Sequence, residues 1–139
     1  MDFGSIDDLY KTDETLANEG APITIGMNAK DEPIIMYVAE AGNPKHKKTQ
    51  RKYDRQLEIA RNNPDRRRML MAKIVAEGIL TGWSGVLDSK GEEVKYTIQN
   101  GIDALLKYDK LNIEIMEAAT DIENYRPAEK ETEGNSEAS

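Results

Sequence analysis

The stretch that decides the fold is Asn63-Pro-Asp-Arg-Arg-Arg-Met-Leu-Met-Ala-Lys-Ile-Val-Ala-Glu-Gly-Ile-Leu-Thr-Gly-Trp-Ser-Gly85. An Asn ahead of a helix accepts from its free backbone N–H groups, and Pro at the first helical position has no N–H to lose. Met69, Ala72, Ala76, Ile79, Leu80 and Trp83 then fall on one face of a 3.6-residue repeat. Leu70, Ile74 and Val75 widen that face beyond what a single neighbour could cover. The spacing predicts a central helix over residues 65–81, punctuated by Gly82 and Gly85 on either side of Trp83.

Asn43-Pro44 is the same starting device used earlier, and it predicts a strongly basic helix over residues 44–62. Its apolar face is thin (Tyr53, Leu57, Ala60), so it should lie on the surface and be held along one edge. Upstream, Ile23, Ile25 and Met27 alternate with other residues, as do Ile34, Met36 and Val38, while Asn28–Glu32 supplies a turn. This reads as a β-hairpin over about residues 21–39, which must pack on helices to persist. Further upstream, Ser5–Asp8 has capping-box spacing, and Leu9, Tyr10 and Leu16 are candidate anchors. A short helix between Asp13 and Glu19 should stop at Gly20.

Downstream, Asp88-Ser-Lys-Gly91 is a turn that can join Val86 and Leu87 to Val94 and Tyr96. Thr97 is a candidate cap for a short helix carrying Ile98, Ile102, Leu105 and Leu106. A last helix over residues 110–124 turns Leu111, Ile115, Ala119 and Ile122 inward. The expected class is mainly α with a small β-hairpin, a compact bundle of about four helices in one domain over residues 1–126. Residues 127–139 are polar and acidic, and composition predicts a disordered tail.

Composition narrows the function. With no cysteine among 139 residues, neither a disulfide framework nor thiolate metal ligation is available. No apolar run approaches the roughly 20 residues of a membrane span, and the amino terminus is acidic where a secretory signal would be basic. A soluble protein retained in the cell that makes it is the simplest expectation. The net charge of −7 is uneven: residues 45–73 hold eleven Lys or Arg against three acids. Blocks of opposite charge suit solvated faces, a polar partner or head-to-tail self-association. The self-association reading singles out Lys48, Arg51, Lys52, Arg55, Arg66, Arg67 and Arg68.

Groups arranged for chemistry are scarce. The single histidine, His46, sits among Lys45, Lys47 and Lys48, whose charge should depress its pKa, and it has no companion ligand. Asp7-Asp8 and Glu92-Glu93 are adjacent carboxylates that point in different directions, as solvated surface does. No glycine cluster forms a phosphate loop or dinucleotide fingerprint, and Gly82-Trp-Ser-Gly85 lacks the spacing of a nucleophile elbow. No catalytic, cofactor or metal site is therefore expected, and the search moves to surfaces. Met69, Ala72, Ile79 and Trp83 are the candidate partner-binding stripe, with Trp83 either a core plug or an exposed anchor. The basic segment could also supply salt-sensitive nucleic-acid contacts, although Arg66–Arg68 lie near a helix start, where cations are disfavoured.

Taken in order, five segments resemble the tail assembly chaperones of long-tailed bacteriophages with non-contractile tails. They are Leu9-Tyr-Lys-Thr-Asp-Glu14, Glu19-Gly20, Ala41-Gly-Asn-Pro44, Gly82-Trp-Ser-Gly-Val-Leu-Asp88 and Ala118-Ala-Thr-Asp-Ile-Glu-Asn-Tyr-Arg126. The resemblance implies a small, largely helical, non-enzymatic protein that binds the tape measure protein, the helical rod that sets tail length. It would keep that rod soluble in the host cytoplasm until tail tube protein polymerises and displaces it. It further implies a homo-oligomer, a longer frameshifted form of the same chain, and absence from the mature virion. The competing expectations are a virion structural or connector protein of the tail, and a nucleic-acid-binding regulator using residues 45–73.

Overall fold

The structure is a computed structural model that describes residues 1–128. Two short helices, α1 (Gly4–Leu9) and α2 (Glu14–Glu19), lead into strands β1 (Ala21–Met27) and β2 (Pro33–Val38). The long helices α3 (Pro44–Ile59) and α4 (Pro64–Gly78) follow, then β3 (Leu80–Ser84), α5 (Ile98–Lys107), α6 (Asp109–Thr120) and a 3-10 turn at Ile122–Tyr125. The expected class holds: a mainly helical protein with an early β-hairpin. The predicted tail lies, from residue 129 onward, outside the described residues.

The caps form where side-chain chemistry placed them. Asn43 accepts from His46 N–H, Asn63 from Arg66 N–H and Thr97 from Asn100 N–H. Asp13 caps α2 in the same way, and Gly20 ends it with φ at 111°. The Ser5–Asp8 capping box does not form; Asp2 Oδ1 takes the Gly4 N–H at the start of α1 instead. Asn28 organises the hairpin turn, its Oδ1 accepting from Lys30 and Glu32 N–H.

The central helix ends earlier than its periodicity suggests. Residues Leu80–Ser84 form an edge strand antiparallel to β2, so the hairpin grows into a three-stranded sheet of order β1-β2-β3. Strand and helix both bury Leu80, so the apolar pattern alone did not separate them. Gly78, Gly82 and Gly85 weaken a helix here, and the sheet offers backbone partners that a continued helix would forfeit. On the core face, Ile23, Met36 and Trp83 share one row, and Ala21, Val38 and Leu80 another. Ile25 falls at a register shift between Thr24 and Gly26, and Met27 is exposed, so the alternation in β1 ends there.

Burial explains why α4 needs so wide an apolar face. Ala72, Val75 and Ala76 of α4, together with Ile79, meet Met36 and Val38 of the sheet, Ile102 and Leu105 of α5, and Ile115 and Ala119 of α6. Leu70 and Ile74 face the other way and pack with Tyr53, Leu57 and Ala60 of α3. A third cluster joins Ala17, Ala21 and Tyr125, whose hydroxyl donates to Val38 O at 2.8 Å. Leu16 packs on this cluster, but Leu9 and Tyr10 are exposed and anchor nothing. The helix expected to run to residue 124 stops at Thr120, which leaves Ile122 exposed.

Trp83 is half-buried. Its Nε1 donates to Val94 O at 2.7 Å, and its ring meets Tyr96 edge-on at 5.0 Å. It thereby holds the ribbon 86–94, where Val94 N–H donates to Val86 O and Leu87 bridges Glu93. The Tyr96 hydroxyl lies within reach of Ala76 O and Leu80 O, and burial pushes its pKa up to about 12, with Glu77 adding to the rise.

The tightest approach is at the end of α4. A Cβ on Gly78 would stand 2.8 Å from His46 Cα, and Gly78 O accepts from Asn43 Nδ2 at 3.1 Å. His46 is buried, and its Nδ1 accepts from Gly42 N–H at 2.9 Å, which fixes the neutral ring. Burial, not the neighbouring lysines, holds its pKa below the usual 6.5.

Two predictions follow from this junction. Gly78→Ala should cost about 1–2 kcal/mol, because backbone overlap outweighs the helix preference of Ala, and thermal melting should fall by several degrees. Gly26→Ala, where a Cβ meets nothing within 4 Å, should leave melting unchanged or slightly raised. Because the folded state favours neutral His46, that contribution is present above pH 6.5 and declines as pH falls below it. Melting followed from pH 7 to about 5 should show this slope, and His46→Gln, which keeps an acceptor without titrating there, should flatten it.

Candidate functional site

Between α3, α4 and α6 runs an open groove of about 530 Å³. The three helices build it because α4 packs α3 on one side and the main core on the other, leaving a seam lined by α3 and α6. Its apolar surface comes from Leu57 of α3, Met71, Ile74 and Val75 of α4, and Met116 of α6. Ile74 and Val75 are buried, but Met71 is 45 % exposed, so a large flexible side chain lies open to water in the seam. Lys47 and Arg51 line the α3 wall, one helical turn apart, with Asp54 further along. Among the described residues, neither cation is within ion-pair distance of a carboxylate.

Asn112 supplies a polar feature in this wall. Its Oδ1 is buried without a hydrogen-bond donor, the one such side-chain atom among the described residues. An unpaired buried acceptor is costly, whereas one matched by an incoming donor is not. The groove thus combines an apolar floor, an unpaired acceptor and unpaired cations. These features lie side by side along one open seam of the molecule.

The expected partner stripe does not lie on this surface. Ala72 and Ile79 are buried in the main core, while Met69 and Trp83 pack partly against it. The stripe is apolar because α4 is central, and this face of it is turned to the sheet, α5 and α6. Met71, one residue from Ala72 and turned roughly 100° around the helix, is the exposed position.

The basic strip is likewise not one face. Lys48 and Lys52 border a hollow with Lys45 and Ile98, on the α5 side, whereas Arg51 lies in the groove. Lys52 Nζ is 2.8 Å from Glu77 Oε1, and Glu77 also accepts from the Tyr53 hydroxyl. Burial opposes ionisation of Glu77, but these two hydrogen bonds prevail and hold its pKa below the usual value. Arg66 reaches Gln56, and Arg68 bonds Leu106 O and pairs with Asp109 at 2.6 Å. Arg55 and Arg67 are exposed. Several of the cations are therefore occupied in joining helices, and the rest diverge around α3.

Met71, with Met69, reads from the sequence as either an adaptable apolar face or core filler, but Met116 and Asn112 join Met71 only in three dimensions and were passed over. A lone Asn following Leu111 on an amphipathic helix was the available signal. The capping-box spacing of Ser5–Asp8 pointed to α1, but not to its exposure: no residue of it is buried. No helix among the described residues is long and apolar enough to cross a membrane.

This surface belongs to a class of phage-associated protein. The chain is a member of the YdaY prophage protein family, which matches residues 39–135. The match takes in α3 to α6 and so the whole groove, while α1, α2, β1 and β2 lie outside it. No curated protein and no solved structure matches the chain significantly.

Replacing the unpaired acceptor gives a test of the groove. Asn112→Leu, which keeps the branched heavy-atom shape without the polar atoms, should stabilise the isolated protein by about 1 kcal/mol. Chemical denaturation checks this; a loss of stability would mean that the Asn112 oxygen is already satisfied.

Proposed function

We propose that this protein is a tail assembly chaperone that binds the tape measure protein and keeps it soluble until tail tube polymerisation displaces it. Membership of a prophage family carries the reading, because it limits the candidate partners to phage products and their host targets. A long helical rod with apolar stripes must be shielded before its tube forms. A small protein with an open apolar groove offers reversible cover of that kind. Exposed Met side chains suit such a task, since an unbranched thioether adapts to varied apolar surfaces.

The protein acts as one domain over residues 1–126, without catalysis, in the host cytoplasm, and departs before the virion is complete. Its cargo contact is replaceable by design: a groove of this size holds a few side chains, so affinity for a long rod comes from many subunits bound along it.

Co-expression with a tape measure protein tests the reading. The rod protein should move from the pellet to the soluble fraction, several-fold enriched, and co-purify with this chain. Equal solubility of the rod protein without this chain would overturn the proposal.

A further inference from the structure

Helix α1 is an apolar hook that touches almost nothing of its own molecule. Phe3, Ile6, Leu9 and Tyr10 are each more than half exposed, and their spacing gathers them within about a third of the helix circumference. Asp2, Asp7 and Asp8 make the same segment acidic. Its base is fixed, because Arg126 Nη1 donates to Leu9 O at 2.8 Å and Asp13 N–H donates to Tyr125 O at 2.7 Å. A six-residue helix is unstable alone in water, so α1 needs a surface to cover its stripe.

The groove between α3, α4 and α6 is the matching surface. It presents Met71 and Met116 to an apolar ligand, and to an acidic one Lys47 and Arg51, which pair with no carboxylate among the described residues. No residue of the same chain's α1 lines it. We infer that α1 of one copy docks into the α3–α4–α6 groove of a second copy, with Phe3, Ile6 and Leu9 against Met71 and the aspartates toward Lys47 and Arg51. Donor and acceptor surfaces differ, so the contact is heterologous: each copy keeps one free hook and one free groove, and the assembly extends head to tail. The inference concerns self-association and does not depend on the cargo proposed above.

Sedimentation of two complementary variants tests it. Ile6→Asp combined with Leu9→Asp removes the hook, and Met71→Glu removes the groove; all three positions are exposed, and circular dichroism checks that the fold is kept. Wild-type protein should rise above its monomer mass of 15.6 kDa as concentration increases, whereas each variant alone stays monomeric. Mixed one to one, the variants should form a species of twice the monomer mass and stop there, because only one intact hook meets one intact groove. Arg51→Glu, a second groove variant, should weaken wild-type assembly, as should added salt. Monomeric wild-type protein at every concentration would overturn the inference, and would point instead to a hook or groove covered within the chain or by another protein. Variants that still assemble alone, or a mixture that remains monomeric, would overturn it equally.

Discussion

The fold hangs on the short segment Ala39–Asn43, whose backbone and one side chain tie together most of the elements. Ala39 N–H donates to Ile79 O, Glu40 N–H to Ala17 O and Ala41 N–H to Ala119 O, fastening β2 to the end of α4, to α2 and to α6. Asn43 then caps α3 while its amide bonds Glu40 O and Gly78 O. All of this requires α3 and α4 to approach at a point where only a hydrogen fits. Gly78 is the concession that permits it, and the placement of β3 and the angle of the groove follow.

That dependence explains what could and could not be read from the residues. Asn-Pro pairs, Thr97 and Gly20 act through local geometry, so α3, α4 and α5 begin, and α2 ends, where the sequence indicates. Strand β3 depends on the edge of β2, contributed from more than 40 positions away, and nothing local distinguishes Leu80–Ser84 from a fraying helix end. The groove is less legible still. Met71 and Met116 each look like ordinary core filler, and their exposure depends on how three helices splay. His46 shows the same limit, since its environment comes from Gly42 and Gly78 and not from the lysines beside it in sequence.

The position of α4 also governs where function can lie. A helix packed on two sides buries its main apolar stripe, so the exposed apolar surface of α4 lies in the seam between its neighbours. Charge is partitioned by the same packing. Lys52, Arg66 and Arg68 are engaged in internal bonds, while Lys47 and Arg51, beside the apolar floor, have no carboxylate partner among the described residues. The result is a mixed surface of modest size, suited to contacts that form in numbers and release readily.

The central claim is that a protein segment covers this seam when the protein works. Methionine-oxidation footprinting measures it directly, because Met71 lies in the groove while Met27, 56 % exposed on the hairpin, does not line it and serves as an internal reference. In the assembled protein, Met71 should oxidise several-fold more slowly relative to Met27 than in dilute monomer. An unchanged ratio between the two states would contradict the account.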